Sequence, residues 1–250
     1  MASFSDRYLE RQKAFWNVKN EQSARFNRVM TAETPSETLW RASAERDLRT
    51  VLDGIAPQPS WTILDLGCGV GRILAELKGR YPFDRLIGVD LSEEMLRFTQ
   101  KNIGENKRIL LYANNGRSLQ MIPDASIDFA YSVDVFIHIC DVGVVLDYFR
   151  EVCRVLKRNG LFRFNVWRFD PEKTFGNSLG GRFAKSMYKL GIWSAGMHRW
   201  SPGEEAEFNG NKYMLREIDS LIRKSGLTVC AIQTKADYFW CSTRKVPLFP

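Results

Sequence analysis

The chain has 250 residues, 44% of them hydrophobic and 26% charged, with 36 Lys and Arg against 29 Asp and Glu and a net charge of +7. That length suits a single α/β domain with a cap, enough to bury a substantial core, and no apolar run approaches the 18 residues of a membrane-spanning helix. The basic residues are spread along the chain with no block of five or more, so a nucleic-acid track is not expected, whereas an acidic or phosphorylated substrate stays open.

The first residues, Met1-Ala2-Ser3-Phe4-Ser5-Asp6-Arg7, carry an acid and lack the apolar core of an export signal. Cysteines stand at 68, 140, 153, 230 and 241, an odd number with no C-x-x-C pair. Neither a metal site nor a disulfide framework is expected from that pattern, and a reducing cytoplasm suits it.

Tyr8 to Met30 is polar and helix-favouring, with Phe15, Trp16, Phe26, Val29 and Met30 as its apolar points. Thr34-Pro35-Ser36-Glu37 offers an N-cap, a proline at the first helical position and a glutamate at the third. A helix from about 35 to 52, ending near Gly54, follows. Residues 1–56 therefore read as an N-terminal helical cap and 57–250 as the main domain.

The most informative stretch is Ile63-Leu64-Asp65-Leu66-Gly67-Cys68-Gly69-Val70-Gly71-Arg72. A short buried strand runs into a glycine turn, and Ile73 to Leu77 then take helical spacing. Such a turn lets a ligand approach the main chain, and the helix behind it presents free N–H groups and the positive end of its dipole. The spacing is not that of a dinucleotide fingerprint, because Arg72 stands where G-x-G-x-x-G needs its next residue, and no phosphate-loop signature occurs. Asp65 just before the turn suits a ligand carrying positive charge.

Leu86 to Asp90 is a second buried strand ending in an acid, with Ser92 as N-cap of the next helix. Asp90 lies 19 residues after Gly71, close to the offset at which a carboxylate meets ribose hydroxyls. Ile109–Ala113 forms a third strand, followed by an Asn114-Asn115-Gly116 turn, and Ile127–Ser132 a fourth. Glu151 to Gly160 reads as a helix closed by a turn, and Leu161–Val166 as the fifth strand. Residues 168 to 212 are too long for an ordinary loop and rich in aromatics, including Phe169, Phe175, Phe183, Tyr188, Trp193, Trp200 and Phe208; they read as an inserted lid. A short helix is expected at Ser201-Pro202-Gly203-Glu204, an amphipathic helix over Tyr213–Ser225, and a closing hairpin from Leu227–Gln233 and Tyr238–Thr243.

Asp65-x-Gly67-x-Gly69-x-Gly71, with Asp90, the Asn pair and Val133-Asp134-Val135-Phe136-Ile137-His138-Ile139 after the fourth strand, resembles the class I S-adenosylmethionine (SAM) methyltransferases over about residues 60 to 167. The similarity is to the small-molecule, type 11/type 25 branch. It implies a Rossmann-like, doubly wound seven-stranded sheet with an antiparallel last strand, plus N-terminal helices and an inserted lid. It implies SAM as cofactor, held by Asp65, Gly67, Cys68, Gly69, Gly71, Arg72, Asp90, Leu91, Asn114, Asn115, Gly116 and Ser132. Asn115, rather than Asn114, is favoured for the adenine amino group.

In this family N-terminal helices overlie the cofactor cleft, which places Trp16 and Trp40 against substrate or in helix packing. Asp134, Tyr131, His198 and Trp200 are further ligand-contact candidates. His138 is the candidate general base, since some members place a histidine here. The expected activity is methyl transfer to an oxygen or nitrogen of a small-molecule acceptor such as a sugar, natural product or other metabolite. RNA or protein acceptors are the alternative, without a recognisable RNA module to support them. A non-catalytic SAM-binding protein is a third reading, opposed by the intact glycine motif and Asp90.

Overall fold

The computed structural model describes residues 4–25, 36–193 and 210–246. Helix α1 spans Phe4–Trp16, and α2 is a single turn, Glu21–Ser23, capped by the Asn20 side chain. The expected helix over Tyr8–Met30 is thus broken after Trp16, while Phe26, Val29 and Met30 lie outside the described residues. Helix α3 runs Glu37–Val51. Its N-cap is Ser36, whose hydroxyl accepts from the Leu39 N–H, two residues after the Thr34 cap that the sequence suggests. Trp40, Ala44, Leu48 and Val51, three or four apart, form its buried face.

The central unit alternates strand and helix: β1 Thr62–Leu66, α4 Arg72–Arg80, β2 Arg85–Asp90, α5 Glu93–Ile103, β3 Ile109–Ala113, β4 Ile127–Ser132, α6 Val142–Val155 and β5 Leu156–Arg168. Then come α7 Pro171–Thr174, α8 Leu179–Lys189, β6 Lys212–Tyr213, α9 Leu215–Lys224, β7 Leu227–Lys235 and β8 Tyr238–Lys245. The sheet order is β3-β2-β1-β4-β5-β8-β7, with β6 pairing β5 off that path. Strands β1 to β5 are parallel, and β8 is antiparallel to both β5 and β7. This is the doubly wound sheet with an antiparallel last strand, enlarged to eight by the two-residue β6.

Two boundaries differ from the sequence reading. The helix before β5 ends at Val155, because Val152 and Val155 complete its buried face. Residues 157–160 instead belong to the strand, where Asn159 takes a positive φ of 63° and the β4–β5 register shifts. The last helix begins at Leu215, because Lys212 and Tyr213 pair with Trp167 and Arg168. Within the lid segment, Phe169, Phe175, Tyr188 and Trp193 pack on one another. They form a small separate core and do not face the main cavity. The helix expected at 201–204 and the candidates His198 and Trp200 lie outside the described residues.

Candidate functional site

Strand order reverses at the β1–β4 boundary, the place where open α/β sheets bind ligands beyond their carboxyl ends. A cavity of about 140 Å³ opens there, between the strand ends and helix α1. Gly67, Gly69 and Gly71 all take positive φ, at 78°, 55° and 79°. The Gly67 and Cys68 amides donate to Val89 O at 2.7 and 3.0 Å. Thr99 and Asn102 of α5 donate to the Gly69 and Val70 carbonyls at 2.6 and 2.9 Å. The turn is therefore fixed from behind by its own main chain and by α5, with Gly67 and Gly69 against the cavity.

Asp90 ends β2. Its carboxylate accepts from the Gly69 N–H at 2.8 Å and the Ser92 N–H at 2.9 Å. Burial, the largest influence, raises its pKa, and these amides oppose the rise. Asp65 is 3% exposed and accepts from the Tyr131 hydroxyl at 2.9 Å. Burial pushes its carboxyl up to about 7, with the Asp90 charge adding to the effect and Tyr131 and Arg72 opposing it.

Arg72 pairs with Asp47 at 2.8 Å, on helix α3, and donates to the Ser43 hydroxyl at 3.1 Å. Its Nε is buried in the cavity wall without a hydrogen-bond partner among the described residues. Buried guanidinium donors are usually hydrogen-bonded, so this Nε retains the capacity for one further acceptor.

Asn114 is buried, donates to the Tyr148 hydroxyl at 2.9 Å and accepts from the Gly116 N–H at 3.2 Å; both it and Gly116 line the cavity. Asn115 is exposed and outside the lining, accepting from the Arg117 and Ser118 amides at 3.2 and 3.0 Å. The preference for Asn115 is therefore corrected: Asn114 faces the cavity, because Asn115 closes the turn on the solvent side.

Three further expected contacts lie elsewhere. Ser132 is fully buried and donates to Leu66 O at 2.8 Å, tying β4 to β1. Gly71 packs against Thr99 rather than the cavity. Trp40 packs with Ala24, Val70 and Met95, its ring under the Arg25 guanidinium at 4.5 Å. Cys68, Leu91, Trp16, Asp134 and His138 do line the cavity, whereas Tyr131 reaches it only through Asp65.

Besides the expected Trp16, helix α1 supplies cavity residues that the sequence reading missed, Tyr8, Leu9 and Gln12. Tyr8, Gln12 and Trp16 recur every four residues and so share one face. The Tyr8 hydroxyl donates to His138 O at 3.1 Å and accepts from the Cys140 N–H at 3.0 Å and from Gln12 Nε2 at 2.8 Å. Trp16 donates to Gln12 Oε1 at 2.8 Å and meets the His138 ring edge-on at 4.9 Å. The four-residue spacing was visible in the sequence; the partners, about 130 residues away, were not.

The donor set fits SAM. Arg72 Nε has no hydrogen-bond partner among the described residues, Asp90 brings a carboxylate to the cavity from the end of β2, and Asn114 follows β3. Among the described residues, no group of His, Cys, Asp and Glu is arranged to hold a metal, and no helix is long and apolar enough to cross a membrane.

Residues 63–160 match the family model described as a methyltransferase domain. The putative methyltransferase YqeM of Bacillus subtilis (strain 168) is 31% identical over 123 residues, covering 44% of this chain and 49% of that protein. Thiol S-methyltransferase TMT1A of Homo sapiens is 31% identical over 127 residues, covering 49% of this chain and 50% of that protein. The chain thus spans about half the length of these curated relatives. The crystal structure of geranyl diphosphate C-methyltransferase from Streptomyces coelicolor A3(2), in complex with Mg2+, geranyl diphosphate and S-adenosyl-L-homocysteine, superposes with a TM-score of 0.62. It does so at 14% identity, covering 96% of this chain and 98% of that one, a likeness of fold.

Proposed function

From the premise that this chain carries a class I SAM-dependent methyltransferase domain, we propose that the protein is an enzyme transferring a methyl group from SAM to an oxygen or nitrogen of a small-molecule acceptor. The observation that carries this reading is one cavity joining the Gly67–Gly69 turn, the Asp90 carboxylate, Asn114 and the unsatisfied Arg72 Nε to His138. Arg72 would hold the carboxylate of the amino-acid end, Asp90 the ribose hydroxyls, and Asn114 with Gly116 the base.

When bound, SAM supplies a methyl group on a sulfonium, ready for in-line displacement. The chain's own residues have three tasks. The apolar wall of Leu9, Leu66, Val133, Val135 and Ile139 excludes water. Helix α1 closes the site and, through Tyr8 and Gln12 on His138 O, fixes the segment bearing His138. A ring nitrogen of His138 takes the proton of an acceptor that arrives protonated, while proximity accounts for most of the remaining acceleration. A small-molecule acceptor is supported by the enclosure that α1 provides and by the thiol substrate class named for TMT1A.

Titration with S-adenosylhomocysteine tests the cofactor. The wild type should bind, and Asp90→Ala should bind at least about tenfold more weakly, from loss of a charge-assisted bond. Because Asp90 also anchors Gly69, thermal melting of the variant is measured alongside; unchanged affinity would refute the ribose role. His138→Gln should lower kcat by about 10²–10⁴ with little change in SAM affinity. If kcat holds while KM for the acceptor rises, His138 positions substrate instead.

A further inference from the structure

We propose that Asp134, held by Asn165, is the acceptor-binding carboxylate of this site, and that the acceptor presents an amine to it. This assignment rests on the methyl-transfer reading of the cavity and adds the chemical class of its second substrate.

The sheet order divides the cavity. Asn114 follows β3, Asp90 ends β2 and Gly67 follows β1, so the groups suited to a nucleoside occupy one side of the switch point. Asp134 follows β4, on the other side, in the same cavity and four residues before His138. Asn165, on the neighbouring β5, is 1% exposed and grips it reciprocally. Asn165 Nδ2 donates to Asp134 Oδ1 at 2.6 Å, and the Asp134 N–H donates to Asn165 Oδ1 at 2.8 Å. Asp134 takes a φ of +58°, a left-handed conformation that non-glycine residues hold at a cost and that clusters at ligand sites. The second carboxylate oxygen, Oδ2, has no hydrogen-bond partner among the described residues.

The charges around it select the ligand. Among the described residues, the cavity wall carries three carboxylates, Asp65, Asp90 and Asp134, against one permanent cation, Arg72, which already pairs with Asp47. Burial is the largest influence on Asp134 and raises its pKa; the Asn165 hydrogen bond opposes it, Asp47 adds to it, and Arg72 and Arg46 pull it down. An acceptor bearing a carboxylate or phosphate would meet like charge in a poorly solvated space. An N–H donor would instead complete the Oδ2 valence with a charge-assisted hydrogen bond. The open choice of an acidic or phosphorylated substrate, left by the chain's net charge, closes at this site against the anion.

Three probes of similar size test this: 2-phenylethylamine, 2-phenylethanol and phenylacetate, titrated by calorimetry into protein saturated with S-adenosylhomocysteine. The expected order is amine tightest and carboxylate weakest. Asp134→Asn keeps an oxygen for Asn165 Nδ2 and a residue that tolerates positive φ. It should weaken the amine by about 10- to 100-fold, the worth of one charge-assisted bond, and leave alcohol and S-adenosylhomocysteine affinity unchanged. Equal binding of the three probes to the wild type, or tighter phenylacetate, overturns the assignment with no variant needed. Weaker S-adenosylhomocysteine binding in Asp134→Asn also overturns it, by giving Asp134 to the cofactor. Failure of the wild type to bind S-adenosylhomocysteine is a separate result, refuting the methyltransferase reading itself.

Discussion

The two ends of the cavity are built differently. At the end formed by β1 to β3, the glycine turn presents backbone, and its supports all come from the one segment 89 to 102. At the end beyond β4, side chains converge from two separate segments: Tyr8 and Gln12 of helix α1 on His138, about 130 residues away, and Asn165 of β5 on Asp134. The first end is a device of local conformation, demanding particular residue types at fixed spacing. The second is a product of tertiary packing, set by side chains that other elements bring to it.

The largest effect expected from this contrast is at Gly67. Its φ of 78° disfavours any side chain, and a Cβ there would overlap Val135 Cγ2. Gly67→Val should abolish detectable S-adenosylhomocysteine binding and destabilise the fold by about 3 kcal/mol or more. Calorimetry and the urea midpoint check this; retained affinity would mean that the turn is not the cofactor end.

A smaller effect, opposite in sign for stability and binding, is expected at Asp65. Its carboxyl titrates at about 7 in the folded protein against an ordinary value of 3.8. Between about pH 4 and 7 the unfolded chain therefore loses this proton first. The native state binds more protons, stability falls as pH rises, and the loss is complete above about 7. Asp65→Asn should raise the melting temperature at pH 8 relative to wild type, by several degrees for about 1–3 kcal/mol, and little at pH 4. S-adenosylhomocysteine affinity should fall in the same variant. A stability gain equal at both pH values would show that the carboxylate charge is not the source.

The smallest effect separates two neighbours that look alike in sequence. Asn114→Ala removes a buried partner of Tyr148 and a cavity wall, and should weaken S-adenosylhomocysteine binding by about tenfold. Asn115→Ala removes only an exposed turn bond, so affinity should hold and stability should change by about 0.5–1 kcal/mol. The reverse ranking in paired titrations would place the base on the solvent side of the turn.

Sequence by itself determined the alternating strands and helices, the glycine turn with Asp65 and Asp90, and the closing hairpin. These depend on periodicity, capping and φ preference, which act over a few residues. It also named Trp16, Asp134 and His138 as candidates, and all three line the cavity. Only the tertiary structure decided that Asn114 and not Asn115 faces inward, and that Ser132 ties two strands together. It likewise decided that Trp40 packs α3 and that the lid aromatics Phe169, Phe175, Tyr188 and Trp193 form their own core. Each of these turns on which face of an element is buried, and burial is set by partners distant in the chain. The Asp134–Asn165 grip is the clearest case: two polar residues 31 positions apart, unremarkable in sequence, become neighbours because β4 and β5 pair in parallel.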